Sequence, residues 1–82
     1  MRGMNRKDLQ LIKAESGEEI ILKQCLVQPD LVTSKDIKTP VAKGDVLFHT
    51  LPSGDIEKLK IVRVDAFTNL MPHYELKVEK LD

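Results

Sequence analysis

Residues 44–80 read GDVLFHTLPSGDIEKLKIVRVDAFTNLMPHYELKVEK, three strand-like stretches separated by one tight turn and one broader loop. In the tight turn, Pro52-Ser53-Gly54-Asp55, proline presets φ at the first corner and Gly54 suits the left-handed position. A turn of that chemistry predicts a hairpin pairing residues 46–51 with 56–64. The last stretch alternates cleanly, so Tyr74, Leu76 and Val78 of a strand over 74–79 should face the core. Residues 67–72 lack this alternation and read as a loop.

The N-terminal half follows the same grammar less regularly. Leu9 and Leu11 fall on one face of a strand, and Ile12 and Ala14 on the other. Glu15-Ser16-Gly17-Glu18 suits a type I turn closed by a glycine at positive φ. A second strand is expected over 19–28, apolar on both faces at its start. Pro29-Asp30 must make the chain bend, bulge or leave the sheet, because proline removes a ladder donor. Residues 31–33 resume a strand. Residues 34–43 carry the weakest pattern: Ser34 could cap one helical turn through Ile37, and Pro40 stops anything longer. Residues 1–7, basic and without periodicity, are expected to form a flexible tail ahead of a single domain over 8–82.

Five or six short strands with no amphipathic helix predict an all-β fold, either a small barrel or a rolled antiparallel meander. A core drawn from 82 residues with one Tyr, two Phe and no Trp must be chiefly aliphatic. Phe48, Phe67 and Tyr74 are expected to be its large rings. An interior so thin leaves little room for an enclosed ligand.

Charge and cysteine usage narrow the function classes. Thirteen basic and thirteen acidic residues cancel, whereas non-specific nucleic-acid binding draws on an excess of phosphate-neutralising charge. One cysteine makes no intrachain disulfide, which fits a reducing compartment. No apolar run exceeds three residues, so no membrane-spanning helix is expected. A cytoplasmic protein is the expectation, with a virion component as the other setting.

The residues that could carry chemistry are sparse. Cys25 lies within ILKQCLVQ, where a packed thiol is a better account than a nucleophile. His49 and His73 could share a metal only with help from Asp65 or Glu75, and two ordinary imidazoles are the simpler reading. Asp45 and Asp55 are explained as turn-forming residues rather than an acid–base pair. No phosphate-cradling glycine loop or nucleophile elbow appears. We therefore expect no catalytic residue, no metal, no cofactor and no enzyme activity.

Two surfaces remain. Lys58, Lys60 and Arg63 form a local basic set that could serve a nucleic-acid-binding barrel, given aromatic platforms beside it. The segment around Phe67, Asn69, Leu70, Met71 and His73 is the better candidate, because it sets apolar residues in a connection. Either these fold back as a lid over an open barrel end, or they form a knob for another protein or a second copy. Residues 34–43 could assist such a contact.

The punctuation of the C-terminal half also resembles a widespread, little-characterised prokaryotic β-domain. Its marks are Gly44-Asp45, Leu51-Pro52-Ser53-Gly54, Asp65 with Phe67, and the closing Pro72-His73-Tyr74-Glu75-Leu76-Lys77-Val78-Glu79-Lys80. Such domains stand alone or as N-terminal modules in bacterial and mobile-element proteins, and the resemblance implies no catalytic residue. In size and charged, strand-rich character the chain is also similar to head–tail joining proteins of tailed phages. The expectation is a non-enzymatic interaction or assembly module, possible settings being phage, prophage or mobile-element proteins.

Overall fold

A computed structural model describes residues 6–81; the expectation for residues 1–5 as part of a tail lies outside the described residues. Six strands occupy it: β1 (Lys7–Ile12), β2 (Glu19–Val27), β3 (Leu31–Ser34), β4 (Val46–Thr50), β5 (Ile56–Phe67) and β6 (His73–Leu81). All pair antiparallel and close in the order β1-β2-β3-β6-β5-β4, with β4 returning to β1. The expected all-β barrel is borne out. Closure removes the unpaired edges that a sheet this small would otherwise expose. No helix in the described residues is long and apolar enough to cross a membrane.

The strands form where alternation predicts them, and β1 starts at Lys7, inside the stretch assigned to the tail. The Pro52 turn behaves as read: Gly54 has φ +95°, its amide donates to the Leu51 carbonyl, and the Leu51 amide donates to Asp55. Pro29-Asp30 does more than interrupt a strand. The Gln28 amide donates to the Leu31 carbonyl at 2.8 Å, reversing the chain so that Val27 lies opposite Val32.

Two bulges re-phase the side chains where strict alternation fails. On β1 and β2 the register passes from Leu9 opposite Leu22 to Lys7 opposite Cys25, so β2 carries one extra residue. Gln24 takes φ +54° there, which lets both Leu22 and Cys25 point inward. Its disrupted backbone is satisfied from outside the ladder: Asp8 accepts from the Gln24 amide, Asp36 from the Lys23 amide, and the Lys23 carbonyl accepts from Ser34 Oγ at 2.6 Å. On β5 the register shifts between Ile61 and Arg63. Leu59 and Ile61 remain buried, and Arg63 emerges on the outer face with Lys58 and Lys60.

The core consists of Leu9, Leu11, Leu22, Cys25, Val32, Leu47, Leu59, Ile61, Tyr74, Leu76 and Val78. Tyr74 is its single large ring. Phe48 is half-buried on the outer face, and Phe67 is exposed, so the expectation that all three rings pack inside is corrected. The start of β2 is likewise buried on one face only, with Ile21 in solvent. A closed barrel of six strands has one inner face, and alternation sends every second side chain out of it.

The helical turn proposed for Ser34 does not form. Ser34 ends β3, fully buried, donating to Lys23 and accepting from the Asp36 amide at 3.1 Å. The chain then crosses the barrel end. Val41 packs against the core, and Tyr74 Oη donates to the Thr39 carbonyl at 3.0 Å. Asp45, only 1% exposed, fastens the far side of this crossing. It accepts from the Ala14 and Ala42 amides, both at 2.9 Å, and from Lys13 Nζ at 2.6 Å. It is therefore a buried anchor between two connections, beyond the turn-forming role read from the sequence. Burial pushes its pKa up, but Lys13 and the two amides more than offset this and hold it below the usual carboxylate range.

Candidate docking surface at the β5–β6 hairpin tip

The β5–β6 ladder continues to Phe67 opposite His73, which leaves residues 68–72 to turn the chain. Leu70 sits within that turn at φ +53°, a left-handed conformation that leucine adopts at a cost of about 1–2 kcal/mol. Its side chain is fully exposed, and Met71 beside it is 72% exposed. The lid reading is thus corrected: these residues point away from the barrel, and residues 35–45 cover its end.

The base of the tip is held by aromatic and polar contacts. Phe67 and His73 stack with ring centroids 4.9 Å apart and planes 10° from parallel. His73 Nδ1 meets the Met71 carbonyl at 2.7 Å, and its Nε2 meets Glu75 Oε2 at 3.2 Å. Both neighbours are acceptors, so the pair of contacts favours the imidazolium, which donates from both nitrogens. The Met71 carbonyl first, and Glu75 second, raise the His73 pKa accordingly. Asn69 is exposed within the turn. The structure therefore brings Phe67, Asn69, Leu70, Met71 and His73 together on one tip.

The basic set is arranged differently. Lys58, Lys60 and Arg63 share the outer face, and Lys58 Nζ lies 5.8 Å from the centroid of the Phe48 ring. Lys60 faces Glu79 across the ladder, however, and Arg63 Nε lies 3.1 Å from Asp65. Acidic neighbours thus interrupt the patch, and Arg63 is drawn into an ion pair.

The remaining candidate chemistry is engaged structurally. His49 Nδ1 lies 3.1 Å from Glu57, whose other oxygen meets Lys80 at 3.3 Å, and His49 followed by Lys80 lowers the Glu57 pKa. His73 meets Glu75, while Asp65 turns to Arg63. The two imidazoles thus go to separate carboxylates, and among the described residues no three His, Cys, Asp or Glu gather as a metal set. Cys25 is buried, its thiol donating to the Leu22 carbonyl at 3.3 Å, and burial pushes its pKa up to about 11.

Beside the tip lies a recess of about 270 Å³ that sequence reasoning did not find. Arg6, Thr33, Lys35, Met71, Pro72 and His73 line it. No local spacing links Arg6 or Lys35 to the tip. Strand β3 brings Lys35 there, because it lies beside β6 in the barrel, and Arg6 is held by the Gln24 carbonyl of β2, the strand on the other side of β3.

No family model matches the chain, nor does any curated protein or solved structure.

Proposed function

We propose that this chain is a non-enzymatic docking or assembly module that engages another protein through the tip at residues 67–73. A single observation carries the reading: Leu70, fully exposed, occupies a strained left-handed position on a turn whose base is held by His73. A turn under no functional demand accommodates glycine or asparagine there at lower cost. The strained leucine instead offers an apolar side chain next to Met71, and exposed apolar groups of this kind mark interaction surfaces. The phage or mobile-element setting is the specific form of this proposal, supported by the sequence resemblance.

The test is the double variant Leu70→Ser/Met71→Ser, followed by sedimentation and by pull-down from the native cell. Loss of self- or partner association with an unchanged melting temperature supports the reading. Unchanged association refutes it.

A second reading, a nucleic-acid-binding barrel using Lys58, Lys60 and Arg63, gains one observation: Phe48 lies outside the core, beneath Lys58. The ion pair of Arg63 with Asp65, and the position of Glu79 opposite Lys60 in the ladder, weigh against it. Titration with single-stranded DNA and RNA at rising salt distinguishes it, since phosphate-driven binding falls steeply.

A further inference from the structure

Leu70 and Met71 are only two side chains, and burying them offsets little of the translational and rotational freedom that association costs. A docking surface centred on this tip needs further contacts within reach, and the recess described above adjoins it.

Two cationic side chains, Arg6 and Lys35, converge on that recess beside His73. Among the described residues, neither Arg6 nor Lys35 has a carboxylate within ion-pair distance. Arg6 donates one Nη1 bond to the Gln24 carbonyl at 3.0 Å and keeps the rest of its guanidinium fork. The acidic groups nearby are committed. Asp8 accepts from the Gln24 amide, Asp36 from the Lys23 amide and Thr39 Oγ1, and Glu75 from His73. His73 has both nitrogens engaged and offers the recess no free donor. Met71 belongs to both the recess and the exposed tip, which makes the two parts one continuous surface.

We propose that this recess binds an acidic side chain of the partner protein, so that the segment recognised couples an Asp or Glu to a neighbouring apolar residue seated on Leu70 and Met71. The proposal rests on the docking reading above and specifies its partner. A peptide carboxylate fits better than a nucleic-acid backbone on two counts. The cations converge on one recess instead of tracking along a groove, and Phe67, the exposed ring of the tip, already has one face covered by His73.

The experiment pans a displayed random-peptide library against the protein and measures enriched peptides by fluorescence anisotropy. The variants are Lys35→Glu, Arg6→Glu/Lys35→Glu and Leu70→Ser/Met71→Ser, each checked for an unchanged melting curve. Enriched peptides should carry Asp or Glu within a few residues of an aliphatic or aromatic side chain. Both charge reversals should weaken them, the double one by about tenfold or more. Replacing the peptide's acid by Lys should restore binding to the charge-reversed protein. Enriched peptides that need Leu70 and Met71 but lack acidic residues would overturn this proposal and leave the docking reading standing. Peptides indifferent to Leu70→Ser/Met71→Ser, or no enrichment at all, would overturn both. Single-stranded DNA or RNA binding in place of peptide, and lost in the charge reversals, would assign the recess to nucleic acid and overturn the proposal.

Discussion

Two connections of this barrel contain exposed-looking apolar residues in sequence, and they end in opposite states. Residues 35–45 place Val41 against the core and Ile37 half-buried across one barrel end. The tip at 67–73 holds Leu70 and Met71 in solvent. Their apolar content does not separate them. The difference lies in where their polar anchors reach. Asp36, Asp45 and the carbonyl of Thr39 bind groups on β2, the β1–β2 connection and β6, drawing that segment inward. His73 binds Met71 and Glu75, two residues away on either side, so the tip is stabilised upon itself. A loop tied to the barrel becomes part of the fold, and one tied to itself is left as a surface.

Breaking the inward anchor should have the largest effect. Asp45→Ala leaves Lys13 and two amides without their acceptor, at a cost of about 3–5 kcal/mol. Chemical denaturation should show this loss, whereas Leu70→Ser/Met71→Ser should stay within about 0.5 kcal/mol of the parent. Tyr74→Phe removes the bond to Thr39 and should cost about 1 kcal/mol, again in the covered end alone.

Opposite pH dependences sharpen the contrast. The folded pKa values of Asp36, Asp45 and Glu57 are lowered, so their stabilisation is present above the unfolded carboxylate range and fades as pH falls through the folded values. His73 behaves in the reverse sense. Its raised pKa means that the tip is held fully below the unfolded value of about 6.5 and loosens as pH rises through the folded one. With the intrinsic pH dependence of exchange divided out, amide protection at residues 69–71 should fall over that upper window while protection in residues 35–45 stays constant, and His73→Gln should abolish the tip's response. The smallest effect is expected from Leu70→Gly, which relieves the positive φ and should stabilise the fold by about 0.5 kcal/mol while removing docking.

Much of the barrel was legible because alternation and turn chemistry are local. Tyr74, Leu76 and Val78 face inward as their spacing predicts, and Gly54 takes its left-handed turn. The closing pairs β1 with β4 and β3 with β6 join strands distant in sequence, and no local pattern announces them. The bulges at Gln24 and beside Val62 hide for a related reason: each is an extra residue relative to a partner strand, visible only once the partner is known. The tip residues were legible as apolar side chains in a connection, but their outward direction was not. That depended on the covered end being filled already by Val41 and fastened by Asp45, 31 residues from the Ala14 amide it binds. Hydrophobicity alone places Phe48 and Phe67 inward, whereas strand parity turns both out.

On the docking reading, Leu70 and Met71 form a contact surface independent of the fold. Its most direct test is association of the Leu70→Ser/Met71→Ser variant, measured by sedimentation and peptide anisotropy on protein whose thermal melt matches the parent. The account predicts lost association with an unchanged melt. Retained association at the parental affinity, or a melt lowered as much as by Asp45→Ala, would contradict it.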